Sequence, residues 1–260
     1  SLGFIFTFQD LTEIRLLEEE VGLKKRMAAL GEMAAGMAHE LRNPLASISG
    51  SVQVLRRDLP AGSEQTELME IILKESRRLD QTIRDFLLFA KPGRFTPERV
   101  DLPEILSDSL KLLRNSEEFR PGHRLKTVFH PENIPVVVDS NRMRQVFWNL
   151  AKNALKAMPE GGTLTVKALG EMDGQVLVSF SDEGVGMGEA DVARNFQPFH
   201  GSFRDGTGLG LAIVYRIIQE HQGRIRVKSR HGAGTEVQIL LPKTQAEARP
   251  VLQGETWTGY

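Results

Sequence analysis

Apolar or small residues recur at Leu23, Met27, Leu30, Ala34, Met37 and Leu41, in alternating steps of four and three, the spacing of a coiled-coil seam. The stripe continues at Leu45, Ile48, Val52, Leu55 and Leu59, so two consecutive steps of four fall beside Pro44. Such a stutter locally unwinds a supercoil, and Pro44, which cannot donate to the carbonyl of residue 40, predicts a bend in the helix there. Asp58-Leu59-Pro60-Ala61-Gly62-Ser63 breaks this helix. Ser63, with Thr66 and Glu67, caps a second one reaching about Lys91, with its seam at Leu68, Ile72, Ser76, Leu79, Ile83, Phe86 and Ala90. Two helices cannot enclose both stripes, so the hairpin is expected to pair with a second copy as a four-helix bundle.

Past Lys91-Pro92-Gly93-Arg94-Phe95-Thr96-Pro97, which has the composition of a linker, the period changes. A helix near 101–119, short strands near 126–130 and 135–139, and a helix over about 140–158 come first. Leu164, Val166 and Ala168, then Val176, Val178 and Phe180, alternate with polar residues as half-buried strands do. A looser segment over 183–205 precedes a helix at 208–222. Strands at 224–229 and 235–241 carry Ile225, Val227, Val237 and Ile239 on alternate positions. The fold expected is multidomain: an all-α hairpin followed by an α+β two-layer sandwich, a sheet covered on one side by helices. Gly3-Phe4-Ile5-Phe6-Thr7-Phe8 reads as a strand of a further domain, and residues 244–260 as a flexible tail.

Composition narrows the chemistry. The 260 residues carry 33 Lys and Arg against 34 Asp and Glu, and this balance by itself calls for neither nucleic acid nor an anionic membrane surface as partner. With no cysteine, disulfides and thiolate metal sites are excluded, and the six histidines lack the paired spacing of a zinc protease. No apolar run approaches the roughly 18 residues of a spanning helix. The expectation is a cytoplasmic piece of a larger protein, whose full length can be attached to the inner membrane.

Gly36-Met37-Ala38-His39-Glu40-Leu41-Arg42-Asn43-Pro44-Leu45 places an imidazole, a carboxylate and an amide within about one helical turn. With Met37 and Leu41 on the seam, His39 projects roughly 200° from either and is reachable from outside. A solvated imidazole is a competent nucleophile toward phosphorus when one nitrogen is held as donor, and Glu40 is the candidate holder. Asn43, one turn on, can orient a water for the reverse, hydrolytic reaction. An exposed His-Glu pair is usually plain surface; what changes its meaning lies downstream.

Asp182 ends a strand before Gly184 and Gly186, so a carboxylate stands at a strand tip with an unobstructed turn behind it, a natural acceptor for an adenine amino group. Gly206-Thr207-Gly208-Leu209-Gly210-Leu211 opens a helix, where backbone N–H groups and the positive dipole end favour phosphates. A dinucleotide loop would need a buried strand just before it, whereas Phe203-Arg204-Asp205 precede this one. Asn149 and Asn153 share a helix face, with Lys152 near its edge. Their amide oxygens suit Mg²⁺, and the lysine can reach phosphate.

In this order, these blocks resemble the bacterial sensor histidine kinases of two-component systems, over about residues 10–242. Asn149 and Asn153 match the family's asparagine box, Asp182 to Met187 its first glycine box, Asn195-Phe196-Gln197-Pro198-Phe199 its phenylalanine box, Gly206 to Leu211 its second glycine box, and Gly232-Ala233-Gly234-Thr235 its last glycine turn. The resemblance implies a dimerisation and phosphotransfer domain at 31–92, and an ATP-binding domain at 97–243 of the type shared with gyrase, Hsp90 and MutL. It further implies a signalling coiled coil at 11–30 and the end of a PAS-like sensory domain at 1–10. By the same resemblance His39 is autophosphorylated, Glu40 assists as base, Asn149 and Asn153 hold Mg²⁺, Asp182 reads adenine, and Asn43 occupies the position used in phosphatase activity. Lys152, Gly184, Gly186, Gly206, Thr207, Gly208, Leu209, Gly210 and Thr235 complete the ATP site. A homodimer and the receiver domain of a cognate response regulator are the implied partners. Ala157-Met158-Pro159-Glu160-Gly161-Gly162 resembles the nitrogen-regulation subgroup. One segment departs from the pattern: His200-Gly201-Ser202-Phe203 stands where the family usually has Phe-Thr-Thr-Lys, with Arg204 supplying a cation nearby. Two other functions fit parts of the pattern: an ATP-driven clamp, which leaves the 36–45 run without a use, and a silent dimeric scaffold.

Overall fold

The computed structural model describes residues 40–57, 59–60, 62–90, 93–172, 174–200 and 207–243. The segments expected as a sensory strand, coiled coil and tail therefore lie outside the described residues, as do His39 and Gly206. The chain divides into two compact units between Gly93 and Arg94.

The first unit is a helical hairpin of α1, residues 40–57, and α2, Glu64–Ala90. Ser63 caps α2: its hydroxyl accepts from the Thr66 N–H at 3.3 Å, while the Thr66 hydroxyl donates to the Pro60 carbonyl at 2.9 Å. Arg42 Nε meets Asp80 Oδ1 at 3.0 Å and Arg56 meets Glu70 at 2.9 Å, which sets the helices antiparallel. The guanidinium groups of Arg84 and then Arg42 hold the Asp80 carboxyl below its ordinary range.

The single wide stripe read from the sequence divides in two. Arg42, Leu45, Ser49 and Val52 on α1 are half-buried, and Thr66, Leu73, Ser76 and Ala90 on α2 are buried. By contrast Leu41, Ile48 and Leu55, with Leu68, Ile72 and Leu79, stay exposed, at 44–59% of their surface. A heptad pattern marks positions that meet some helix without saying which one, so a stripe serving two neighbours reads as one.

The second unit opens with β1 (Glu98–Asp101) and α3 (Leu102–Arg114), followed by β2 (His123–His130), β3 (Pro135–Val138), α4 (Ser140–Ala157), β4 (Gly162–Met172) and β5 (Gln175–Asp182). A short α5 (Glu189–Arg194), α6 (Gly210–Glu220), β6 (Arg224–Ser229) and β7 (Thr235–Pro242) complete it. Five strands form one sheet in the order β2-β4-β5-β7-β6, with β2 parallel to β4 and the other pairs antiparallel. The expected strand at 135–139 does not join this sheet. It pairs with β1, which the sequence pattern did not indicate, in a separate two-stranded ribbon. Period two says that a segment is extended and half-buried but leaves its pairing partner open.

On one face of the large sheet Leu164, Val166, Ala168, Val176, Val178, Phe180, Ile239 and Leu241 are buried beneath the helices. Phe147 of α4 stacks on Phe180 with ring centroids 5.9 Å apart. Asp139 caps α4 by accepting from the Arg142 N–H at 3.1 Å. Half of the expected linker belongs to this unit. Thr96 donates from its N–H and hydroxyl to Asp139 Oδ2 at 3.0 and 3.2 Å, and the Phe95 ring stands edge-on to His221 at 4.9 Å. His221 is fully buried and accepts from the Asp139 N–H through Nε2 at 2.9 Å, with Nδ1 against the Ile217 carbonyl at 2.7 Å. Burial holds its pKa down, so the ring stays neutral and can keep accepting.

Candidate nucleotide site

The site forms where β5, α4 and the start of α6 converge on the helix-covered side of the sheet. Asp182 is the last residue of β5. Its Oδ1 accepts from the Gly184 N–H at 2.9 Å and from the Thr235 N–H at 3.2 Å, while Oδ2 accepts from no group among the described residues. Burial pushes this carboxyl above its ordinary range, and the two N–H donors draw it part of the way back. A carboxylate thus locked through one oxygen offers the other to an amino donor.

Gly186 has φ +65°, and a Cβ there would lie 2.0 Å from the Arg230 carbonyl oxygen, so only glycine permits this turn. Behind it, Ser229 accepts from the Met187 N–H at 2.8 Å and donates to the Gly234 carbonyl at 3.0 Å. Ser229 belongs to no motif of the sequence; its signal is a hydroxyl at the position where Ile225 and Val227 lead one to expect a third apolar side chain. Gly184 presses against α4, with its Cβ position 2.5 Å from the Ala157 carbonyl.

At the start of α6, Thr207 Oγ1 accepts from the Leu209 N–H at 3.3 Å, Gly208 takes a left-handed φ of +68°, and Leu209 is fully buried. The Asn149 amide donates to the Gly210 carbonyl at 3.4 Å, tying α4 to α6. That bond uses the Nδ2 of Asn149 and leaves its oxygen for a hard cation. Asn153, one turn on and half-buried, makes no side-chain hydrogen bond among the described residues. Amide oxygens are hard ligands, so Asn149 and Asn153 would suit a Mg²⁺ ion, which would supply positive charge against phosphate.

Lys152 does not stand free for phosphate. Its ammonium meets Glu118 at 2.6 Å. Burial works against the Glu118 charge, but the bond and field of Lys152, together with hydrogen bonds from the backbone and Ser116, hold the carboxyl below its ordinary value. Glu118 lies outside every motif read from the sequence and could not have been paired with Lys152 by spacing. In the phenylalanine box, Phe196 packs on Tyr215 at 5.3 Å, whereas neither polar atom of the buried Asn195 side chain meets a hydrogen-bond partner among the described residues.

Two family models match the chain: the "His Kinase A (phospho-acceptor) domain" over residues 29–94 and the "Histidine kinase-, DNA gyrase B-, and HSP90-like ATPase" over 138–245. The chain belongs to the two-component histidine kinases. Sporulation kinase E of Bacillus subtilis (strain 168) is 37% identical over 245 residues, covering 93% of this chain and 32% of that protein. Sensor histidine kinase ZraS of Escherichia coli (strain K12) is 34% identical over 244 residues, covering 93% of this chain and 51% of its own length. Among solved structures, full-length ShkA in complex with AMPPNP matches with a TM-score of 0.68 and 28% identity, over 81% of this chain and 45% of that one. ThkA in complex with the response regulator TrrA matches with a TM-score of 0.65 and 28% identity, over 93% of this chain and 70% of that one. The chain spans about a third to a half of the length of these two curated relatives. In this histidine kinase, then, a helical phospho-acceptor unit is followed by an ATPase-type unit that carries the site above.

Proposed function

We propose that this chain is an ATP-dependent autokinase in which His39 accepts a phosphoryl group and passes it to an aspartate of a response regulator. The observation that carries the reading is the half-fixed Asp182 carboxylate beside the glycine turn and the start of α6, a purine and phosphate site in the same polypeptide as the His39-Glu40 run. An imidazole nitrogen of His39 attacks the γ-phosphorus, the bond to the β,γ-bridging oxygen breaks, and ADP leaves; Glu40 takes the proton from the ring. Glu40 and Asn43 are both exposed on α1, one turn apart, as reaction with an external donor requires. Mg²⁺, held by Asn149 and Asn153, would neutralise charge on the phosphates. Asp182 orients the adenine, and the N–H groups at the start of α6 face the phosphates, so positioning supplies most of the catalysis.

Asn43 aligns a water for dephosphorylation of the partner regulator, making the protein bifunctional. The exposed stripe Leu41, Ile48, Leu55, Leu68, Ile72 and Leu79 is the surface a second copy covers in a four-helix bundle. The unit boundaries support a phosphotransfer domain over 31–92 and a catalytic domain over 97–243, with Phe95 and Thr96 as the root of the latter. The deciding experiment is intact-protein mass spectrometry after ATP under non-acid conditions, with γ-labelled ATP in parallel. One phosphoryl group per chain, located on His39 and absent from His39→Gln, is expected; acid-labile label persisting in His39→Gln would overturn the assignment.

A further inference from the structure

The overall charge balance conceals a segregation that only the sheet register reveals. On the sheet face turned away from the helices and from Asp182, the register places Arg124 and Lys126 of the edge strand β2, Lys167 of β4, and Arg224, Arg226 and Lys228 of the opposite edge strand β6. All six are exposed, and none closes an ion pair with another described residue. Carboxylates on this face are few: Glu236 sits opposite Lys228, and Glu183 at the rim accepts from the Thr163 N–H at 2.8 Å near Arg124. The other open-face positions include Thr165, Ser179, Ser181 and Gln238, and a row of aliphatic side chains at Leu169, Leu177 and Leu240.

We infer that this open cationic sheet face docks on the anionic headgroups of a phospholipid bilayer. The extent and composition of the face decide among polyanions. Five strands at about 4.8 Å spacing and 6–11 residues in length give an open face of about 500–600 Å². That falls short of the roughly 800 Å² per partner of a stable protein complex, and the patch has no aromatic anchor or recess around which such an interface centres. Nor does it present aromatic rings for stacking nucleic-acid bases or a protruding helix or ribbon for a groove. An anionic bilayer surface needs neither: each cation that reaches the headgroups adds its attraction, worth about fivefold in partitioning near acidic lipid. The nucleotide site opens on the opposite side of the sheet and stays accessible while the face is occupied.

The test uses the 260-residue chain and sedimentation with vesicles of phosphatidylcholine alone or mixed with phosphatidylglycerol. Binding to the mixed vesicles only is expected, abolished near 1 M salt, where the screening length falls to about 3 Å. The triple variant Lys167→Glu, Arg226→Glu, Lys228→Glu should lose about a hundredfold or more in partitioning while its ATP affinity is unchanged. Arg114→Glu, which reverses an exposed cation on α3, should bind as the parent does. Equal binding to phosphatidylcholine, an unaltered triple variant, or retention of duplex DNA or polyglutamate instead of vesicles would overturn the proposal.

Discussion

The two units bury their apolar residues to different degrees. In the catalytic unit Phe147, Leu164, Val178 and Ile239 are at or near zero exposure, enclosed by the sheet and its helices. In the hairpin Ile48, Leu55, Leu68 and Leu79 remain about half exposed, because two helices can cover only one stripe each. One unit has its core within its own sequence; in the bundle proposed above, the other would share its core with a second copy. On that reading the hairpin, held by contacts between copies, would respond to forces on its helices while the sheet unit keeps its shape.

The comparison breaks most severely in the core of the catalytic unit. Phe147→Ala should destabilise that unit by about 3–5 kcal/mol, read as a lowered midpoint in denaturant, without changing the assembly of the hairpin. Placing a charge on the exposed stripe should do the reverse. Ile48→Asp is expected to weaken self-association by about 2–3 kcal/mol in sedimentation equilibrium, with helical signal lost on dilution and ATP binding retained. If Ile48→Asp assembles like the parent, the stripe is ordinary surface and the contrast between the units dissolves.

At the site, Asp182→Asn should cost about ten- to a hundredfold in ATP affinity, because an amide nitrogen then faces the amino group it should accept from. The pH dependence follows from the raised Asp182 value. On acidification the carboxyl takes up its proton at a higher pH than an ordinary aspartate would, so ATP affinity falls as pH drops through that raised value. Calorimetric titrations across pH should show this fall in the parent, and Asp182→Asn should lack it. The smallest effect is expected at Lys152. Because its ammonium is held by Glu118, Lys152→Ala should change ATP affinity by less than about threefold, with a stability loss under about 1 kcal/mol typical of a partly exposed pair. A loss comparable to that of Asp182→Asn would mean that the lysine swings to the phosphates on binding.

The placing of Asp182, Gly186 and Asn149 was legible in the chain because each requirement is local. A strand tip, a turn without Cβ and two amides one helical turn apart are fixed by spacing alone. The two-unit architecture was legible for the same reason, since a period of 3.5 and a period of two leave different marks. What escaped depended on residues distant in sequence. Glu118 meets Lys152 across 34 positions, Thr96 meets Asp139 across 43, and β3 chooses β1 over the large sheet.

By itself, then, the sequence determined the order of the longer elements, the helical stripes and the residue types able to hold a nucleotide, because short-range geometry follows from neighbours along the chain. Tertiary structure alone decided which half of each stripe is covered within one chain and which oxygen of Asp182 is left to accept. It also placed six cations scattered over Arg124 to Lys228 on one face of a sheet in a chain whose net charge is −1. Each of these rests on register and packing between distant segments, and nothing in the local spacing of residues encodes those.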